Sequence, residues 1–89
     1  MPRPLEPFEA AVLDRLAALD TGDGVPLTRL AKQLDARVSV LIRTCTLLSD
    51  ARLGGMAGPG YVRLAEADGR WRAWATGAGR AASGAGAAA

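Results

Sequence analysis

The dipeptide Asp68–Gly69 lies between two strand-like runs, "YVRLAEA" and "RWRAWAT". Aspartate–glycine is a strong two-residue hairpin turn, because both positions tolerate the backbone such a turn requires. With the turn placed there, Ala67 pairs with Arg70, Glu66 with Trp71, Leu64 with Ala73 and Val62 with Ala75. Side chains alternate across a strand. That register therefore puts Val62, Leu64, Trp71, Ala73 and Ala75 on the expected core face, and Tyr61, Arg63, Arg70, Arg72 and Trp74 on the other. A slip of one residue would exchange Trp71 and Trp74 between the faces.

Everything before the hairpin reads as helix. Residues 1–6 form an extended lead-in, and a helix starts near Pro7, since proline suits the first helical position. Phe8, Val12, Leu16 and Leu19, with Leu5 and Leu13, make its buried stripe, and Gly22 is its expected left-handed cap. Val25 is a short extended bridge before a second helix that opens at Pro26 or Leu27. Leu27, Leu30, Ala31 and Leu34 face inward there, while Arg29, Lys32 and Gln33 face out. "DAR" turns the chain into a third helix, from about Val38 to Arg52, closed by Leu53 and Gly54–Gly55. "GGMAGPG" reads as a flexible connector, and residues 81–89 as a low-complexity, disordered tail. The expectation is one mainly α domain over residues 7–80, a three-helix core carrying a two-stranded wing.

Composition excludes more than it selects. The 89 residues contain no histidine and one cysteine, Cys45, so a histidine base, a His-based metal site and an internal disulfide are ruled out within one chain. No enzyme activity and no cofactor are expected. Apolar runs fall short of the roughly 20 residues of a membrane span, and the N-terminus lacks the order of a signal peptide. A cytoplasmic protein is expected. A chain this small buries roughly 60–65% of its unfolded surface, which favours pairing into a homodimer. The net charge of +2 is modest, but five of the nine acidic residues lie within residues 1–25, which leaves the remainder basic. That distribution suits an anionic partner.

Residues 30–53 resemble the helix–turn–helix of bacterial winged-helix regulators, particularly the MarR-like group. Leu30–Ala31, Leu34, Ser39, Arg43, Leu48 and Leu53 match its leucine–alanine pair, core leucines, helix-start serine, exposed arginine and closing leucine without gaps. "ATGAGR" at 75–80 is similar to the segment that often follows the wing in that group. The resemblance covers about half of the chain. It departs at Asp35, where a glycine is usual, at Arg52, and in lacking long flanking dimerisation helices. What it implies is a winged helix-turn-helix fold and a transcriptional regulator that binds double-stranded DNA.

The third helix leaves two readings open. At 100° per residue Leu41, Cys45 and Leu48 face the core, and Ser39, Arg43, Thr46 and Asp50 form only a narrow polar arc opposite. In the first reading the flanking apolar residues pack under the hairpin. Arg37, Val38, Ser39 and Arg43 then reach the major groove, while Arg63, Arg70 and Arg72 contact adjacent backbone. In the second, Val40, Ile42 or Leu47, with Tyr61 and Trp74 of the hairpin, forms a protein–protein surface and no DNA is read. Cys45 is expected in the core.

Overall fold

The computed structural model describes residues 4–83. The first residues of the lead-in and the last of the tail, expected to be extended and disordered respectively, lie outside the described residues. Four helices and a three-stranded antiparallel sheet enclose one core, with a two-stranded hairpin at the side.

Helix α1 spans Pro7–Leu19, with proline at its start and the Glu6 amide donating to the Glu9 carboxylate at 2.9 Å. Its buried residues include Val12, Leu13, Leu16 and Ala17. Phe8 is a correction to the expected stripe, since it is 39% exposed, while Leu5 packs on the core instead. Gly22 is a second correction. Its φ of +117° is not the helical left-handed value, and Asp20 ends the helix, its own amide bonded to the Leu16 carbonyl at 2.8 Å.

Strand β1, Val25–Pro26, leads into α2, Leu27–Leu34. Leu27, Leu30 and Ala31 are buried. Asp35 then takes the left-handed conformation at φ 51° and ψ 49°. Aspartate is among the few non-glycine residues that enter this region readily, so the missing glycine does not prevent the turn. The Ala36 amide closes it onto the Ala31 carbonyl at 2.9 Å.

Helix α3 covers Val38–Leu48, shorter than the expected run to Arg52. Leu41, Cys45 and Leu48 are fully buried, as the helical spacing requires. Beyond them Arg52–Leu53, strand β2, pairs with Met56–Ala57, strand β3. The glycine-rich stretch then returns along the helix end. The amides of Gly58, Gly60 and Tyr61 donate to the carbonyls of Ala51, Ser49 and Leu48. A Cβ on Gly58 would collide with the Ser49 carbonyl. The stretch is therefore held by backbone bonds against the residues that follow α3, an approach that requires glycine; it is no loose connector.

Strands β4, Val62–Ala67, and β5, Arg70–Ala75, pair in the expected register around Asp68 and Gly69, whose φ values are 54° and 76°. Val62 and Ala73 are buried, and Leu64, Trp71 and Ala75 pack on the core. The expected two-stranded wing is corrected to a three-stranded sheet in the order β1-β5-β4, with Val25 opposite Ala73. Helix α4, Gly77–Ala82, follows, so the helical turn extends into the stretch read as tail.

Candidate nucleic-acid interface

The helical cations stand clear of the core. Arg29 and Lys32 on α2, Arg37 at the turn and Arg43 on α3 are exposed. Among the described residues none of their side chains makes an ion pair or hydrogen bond, and neither helix contains an acidic residue. Arg37 is the N-cap of α3, with extended backbone (φ −85°, ψ 145°) and no side-chain cap. Serine, threonine, aspartate and asparagine satisfy the orphan amides at that position. A cation there opposes the positive end of the helix dipole. Arg37 therefore costs the fold stability where four other residue types would supply it.

The outward surface of α3 is mixed. Ser39 and Arg43 are exposed, but so are Val40 at 41% and Leu47 at 37%. Thr44 is buried and Thr46 half-buried, and both hydroxyls turn back onto the helix, donating to the Val40 carbonyl at 2.9 Å and the Ile42 carbonyl at 2.7 Å. Val38 is half-buried, as is Ile42. The apolar excess of this helix is thus only partly absorbed by the core.

The three hairpin arginines differ sharply. Arg70 is exposed next to the turn, with no side-chain partner among the described residues. The guanidinium carbon of Arg63 sits 4.1 Å from the centre of the Trp74 ring, a cation–π stack that still leaves the residue exposed. Arg72 is held: its Nη1 donates to the carbonyls of Asp23 at 2.9 Å and Gly24 at 3.1 Å. Gly24 has φ +77°, and a Cβ there would lie 2.6 Å from Trp74 Cε2 and 2.9 Å from Arg72 Cγ. The loop before β1 thus packs against the outer face of the hairpin.

An open groove of about 650 Å³ joins the two regions, with Thr28 and Val38 on the helical side and Arg70, Trp71 and Arg72 on the hairpin side. Arg63 lies outside it, over a smaller hollow of about 390 Å³ beside Thr46 and Asp50. The residues proposed as a protein surface are not gathered either. Leu47 is exposed on α3, Ile42 and Tyr61 pack on the core, and Trp74 lies under Arg63. Tyr61 corrects its expected outer-face position. It precedes β4, where its amide is fixed to the Leu48 carbonyl and its own carbonyl accepts from Thr76.

What orients the hairpin was missed in the sequence. The buried Asp20 carboxylate accepts from the amides of Gly22 at 2.8 Å, Gly24 at 2.9 Å and Ala75 at 2.9 Å, with Arg80 Nη2 at 3.4 Å. Burial raises its pKa, but the three amides and the Arg80 charge outweigh that and hold it below 3.8. Arg80 also donates to the carbonyls of Ala17 and Asp20. Thr76 caps α4, accepting from the Gly79 amide at 3.0 Å while donating to the Gly60 carbonyl at 2.6 Å. Gly79 packs directly on the Tyr61 carbonyl, where a Cβ would collide. The "ATGAGR" segment is therefore a clamp within the fold. The signals were the glycines two and four residues after Asp20, which mark a side-chain-stabilised turn, and a threonine ahead of a short helix.

Cys45 is buried, and burial pushes its thiol up to about 12. Among the described residues no group of three or more metal-ligating side chains occurs, and no helix is long and apolar enough to cross a membrane. No protein-family model, curated protein or solved structure matches the chain.

Proposed function

We propose that the chain is a winged-helix module of a transcriptional regulator and binds double-stranded DNA as a homodimer. Helix α3 enters the major groove, and the β4–β5 hairpin lies along neighbouring backbone. The carrying observation is Arg37 at the N-cap of α3. An exposed cation without a partner, placed where it weakens the helix, fits a residue kept for contact with an anion. Arg29, Lys32 and Arg43 add exposed cations on α2 and α3, and the groove between Val38 and Arg70 brings the start of α3 beside the hairpin.

The wing contribution narrows under this reading. Arg70 is the exposed phosphate contact, Arg63 reaches phosphate from its stack on Trp74, and Arg72 is bonded to the loop before β1. If each protomer neutralises about three phosphates, log affinity falls with log salt at a slope near −5 for the dimer. Binding of duplex by the purified chain across a salt series, with its mass measured in solution, tests this. A slope near zero, or no duplex binding at low salt, rejects it.

Val40 and Leu47 favour a second reading, a winged-helix module for protein assembly that does not read DNA. In that case Leu47→Asp dissociates a complex that Arg70→Ala leaves intact.

A further inference from the structure

The outward face of α3 carries an unusual set of chemical groups. Residues 40 and 47 are two helical turns apart and so share one side of the helix. Both are exposed, Val40 at 41% and Leu47 at 37%. Arg43 lies between them along the chain and Ser39 beside Val40, both exposed. Thr44 and Thr46 donate their hydroxyl protons to the helix's own carbonyls. What the helix offers a partner is one guanidinium, one hydroxyl and two branched aliphatic groups.

That inventory matches one kind of occupant. An anionic partner suits this surface, because Arg29, Lys32, Arg37 and Arg43 are exposed on α2, the turn and α3, against the two exposed acids Asp35 and Asp50 at the helix ends. It must also present small apolar groups close to hydrogen-bond acceptors. The major groove of a duplex does so where thymine C5-methyl groups lie near guanine N7 and O6. We propose that Val40 and Leu47 read thymine methyl groups on either side of the base contacted by Arg43, so that the preferred duplex is thymine-rich around that position. This rests on the duplex-binding reading above and adds to it the chemistry of the base pairs chosen.

The test uses the full chain and a random duplex pool. The tightest-bound duplex is selected and then remade with deoxyuridine for thymidine one position at a time, which removes only a methyl group. At contacted positions the affinity should fall about fourfold per methyl. Val40→Ala and Leu47→Ala should each erase that loss at one position. Each residue is more than half covered, so affinities of the variants are compared at a temperature where their melting curves show both fully folded. Equal affinity for the thymine and uracil duplexes, with binding otherwise intact, overturns this inference and leaves duplex binding standing. A methyl dependence that survives in both variants overturns the assignment to these residues. If no duplex binds at all, and Leu47→Asp instead breaks up an oligomer, both readings fall and the face belongs to a protein partner.

Discussion

The Asp20 carboxylate accepts a hydrogen bond from the backbone amide of Ala75, 55 residues away, at 2.9 Å. That bond joins the end of α1 to the end of β5. The other carboxylate oxygen gathers the amides of Gly22 and Gly24, which fixes the loop that grips Arg72 and packs on Trp74. One acidic residue thus ties the end of α1 to the end of β5 and to the loop packed on the hairpin.

Removing the carboxylate should unfold much of this arrangement. Asp20→Ala leaves three amides without their acceptor and should cost about 3 kcal/mol or more. The pH dependence is specific. The folded pKa of Asp20 lies below 3.8, so its contribution is in place above that value and is lost as pH falls through the depressed one. Urea midpoints measured down an acid series should fall steeply for the parent and more gently for Asp20→Asn.

Gly24→Ala should be nearly as damaging for a different reason. The residue has φ +77°, and its new methyl would meet the Trp74 ring at 2.6 Å and 2.8 Å. Backbone strain and displacement of the indole together should cost about 2–3 kcal/mol. Trp74 should become more solvent-exposed, read as a red shift of tryptophan emission against a Trp71→Phe background.

Arg70 and Arg72 should separate binding from stability. Arg70→Ala should leave the melting temperature unchanged and make the salt slope of duplex binding shallower by about 0.9 per protomer. Arg72→Ala removes the bonds to the Asp23 and Gly24 carbonyls, so its first effect should be a lower melting temperature. An Arg72→Ala variant that loses duplex affinity without losing stability would return that arginine to the contact surface.

These two arginines also mark what the sequence could and could not convey. The hairpin register was legible because aspartate–glycine and the strand period act over a few residues. The inner face of α3 was legible for the same reason: Leu41, Cys45 and Leu48 recur at helical spacing. Arg63, Arg70 and Arg72 look alike in the chain, and only a loop 48 residues from Arg72 makes one of them structural. The early end of α3 was hidden because the chain beyond Leu48 is held by backbone amides of Gly58 and Gly60, and the one side chain at that end, the Ser49 hydroxyl on the Thr46 carbonyl, is a serine that also fits a helix exterior. Of the candidate site, the cations were visible as residue types. Which of them stand free depended on contacts distant in sequence.

Arg37→Asp should stabilise the protein while weakening its proposed activity. Aspartate at the N-cap of α3 gains a side-chain bond to an orphan amide and removes an opposed charge, together worth about 1 kcal/mol. For a domain of this length that is a rise of about 4–8 °C in melting temperature. Duplex affinity should drop in the same variant. A fall in stability would mean that Arg37 supports the fold through contacts it makes in solution, and would remove the observation on which the DNA-binding proposal rests.

Cys45 supplies an internal gauge for all of these variants. It is fully enclosed in the core on α3, and burial raises its thiol to about 12, so the nucleophilic thiolate is scarce in the folded state. Reaction with a thiol reagent therefore requires that the surrounding helices and sheet separate. When reclosing is faster than modification, the labelling rate reports the population of the open state. The opening free energy from labelling should equal the global unfolding free energy from urea, and both should fall together in Asp20→Ala. Labelling much faster than urea unfolding predicts would show that α3 detaches on its own, without loss of the remaining core.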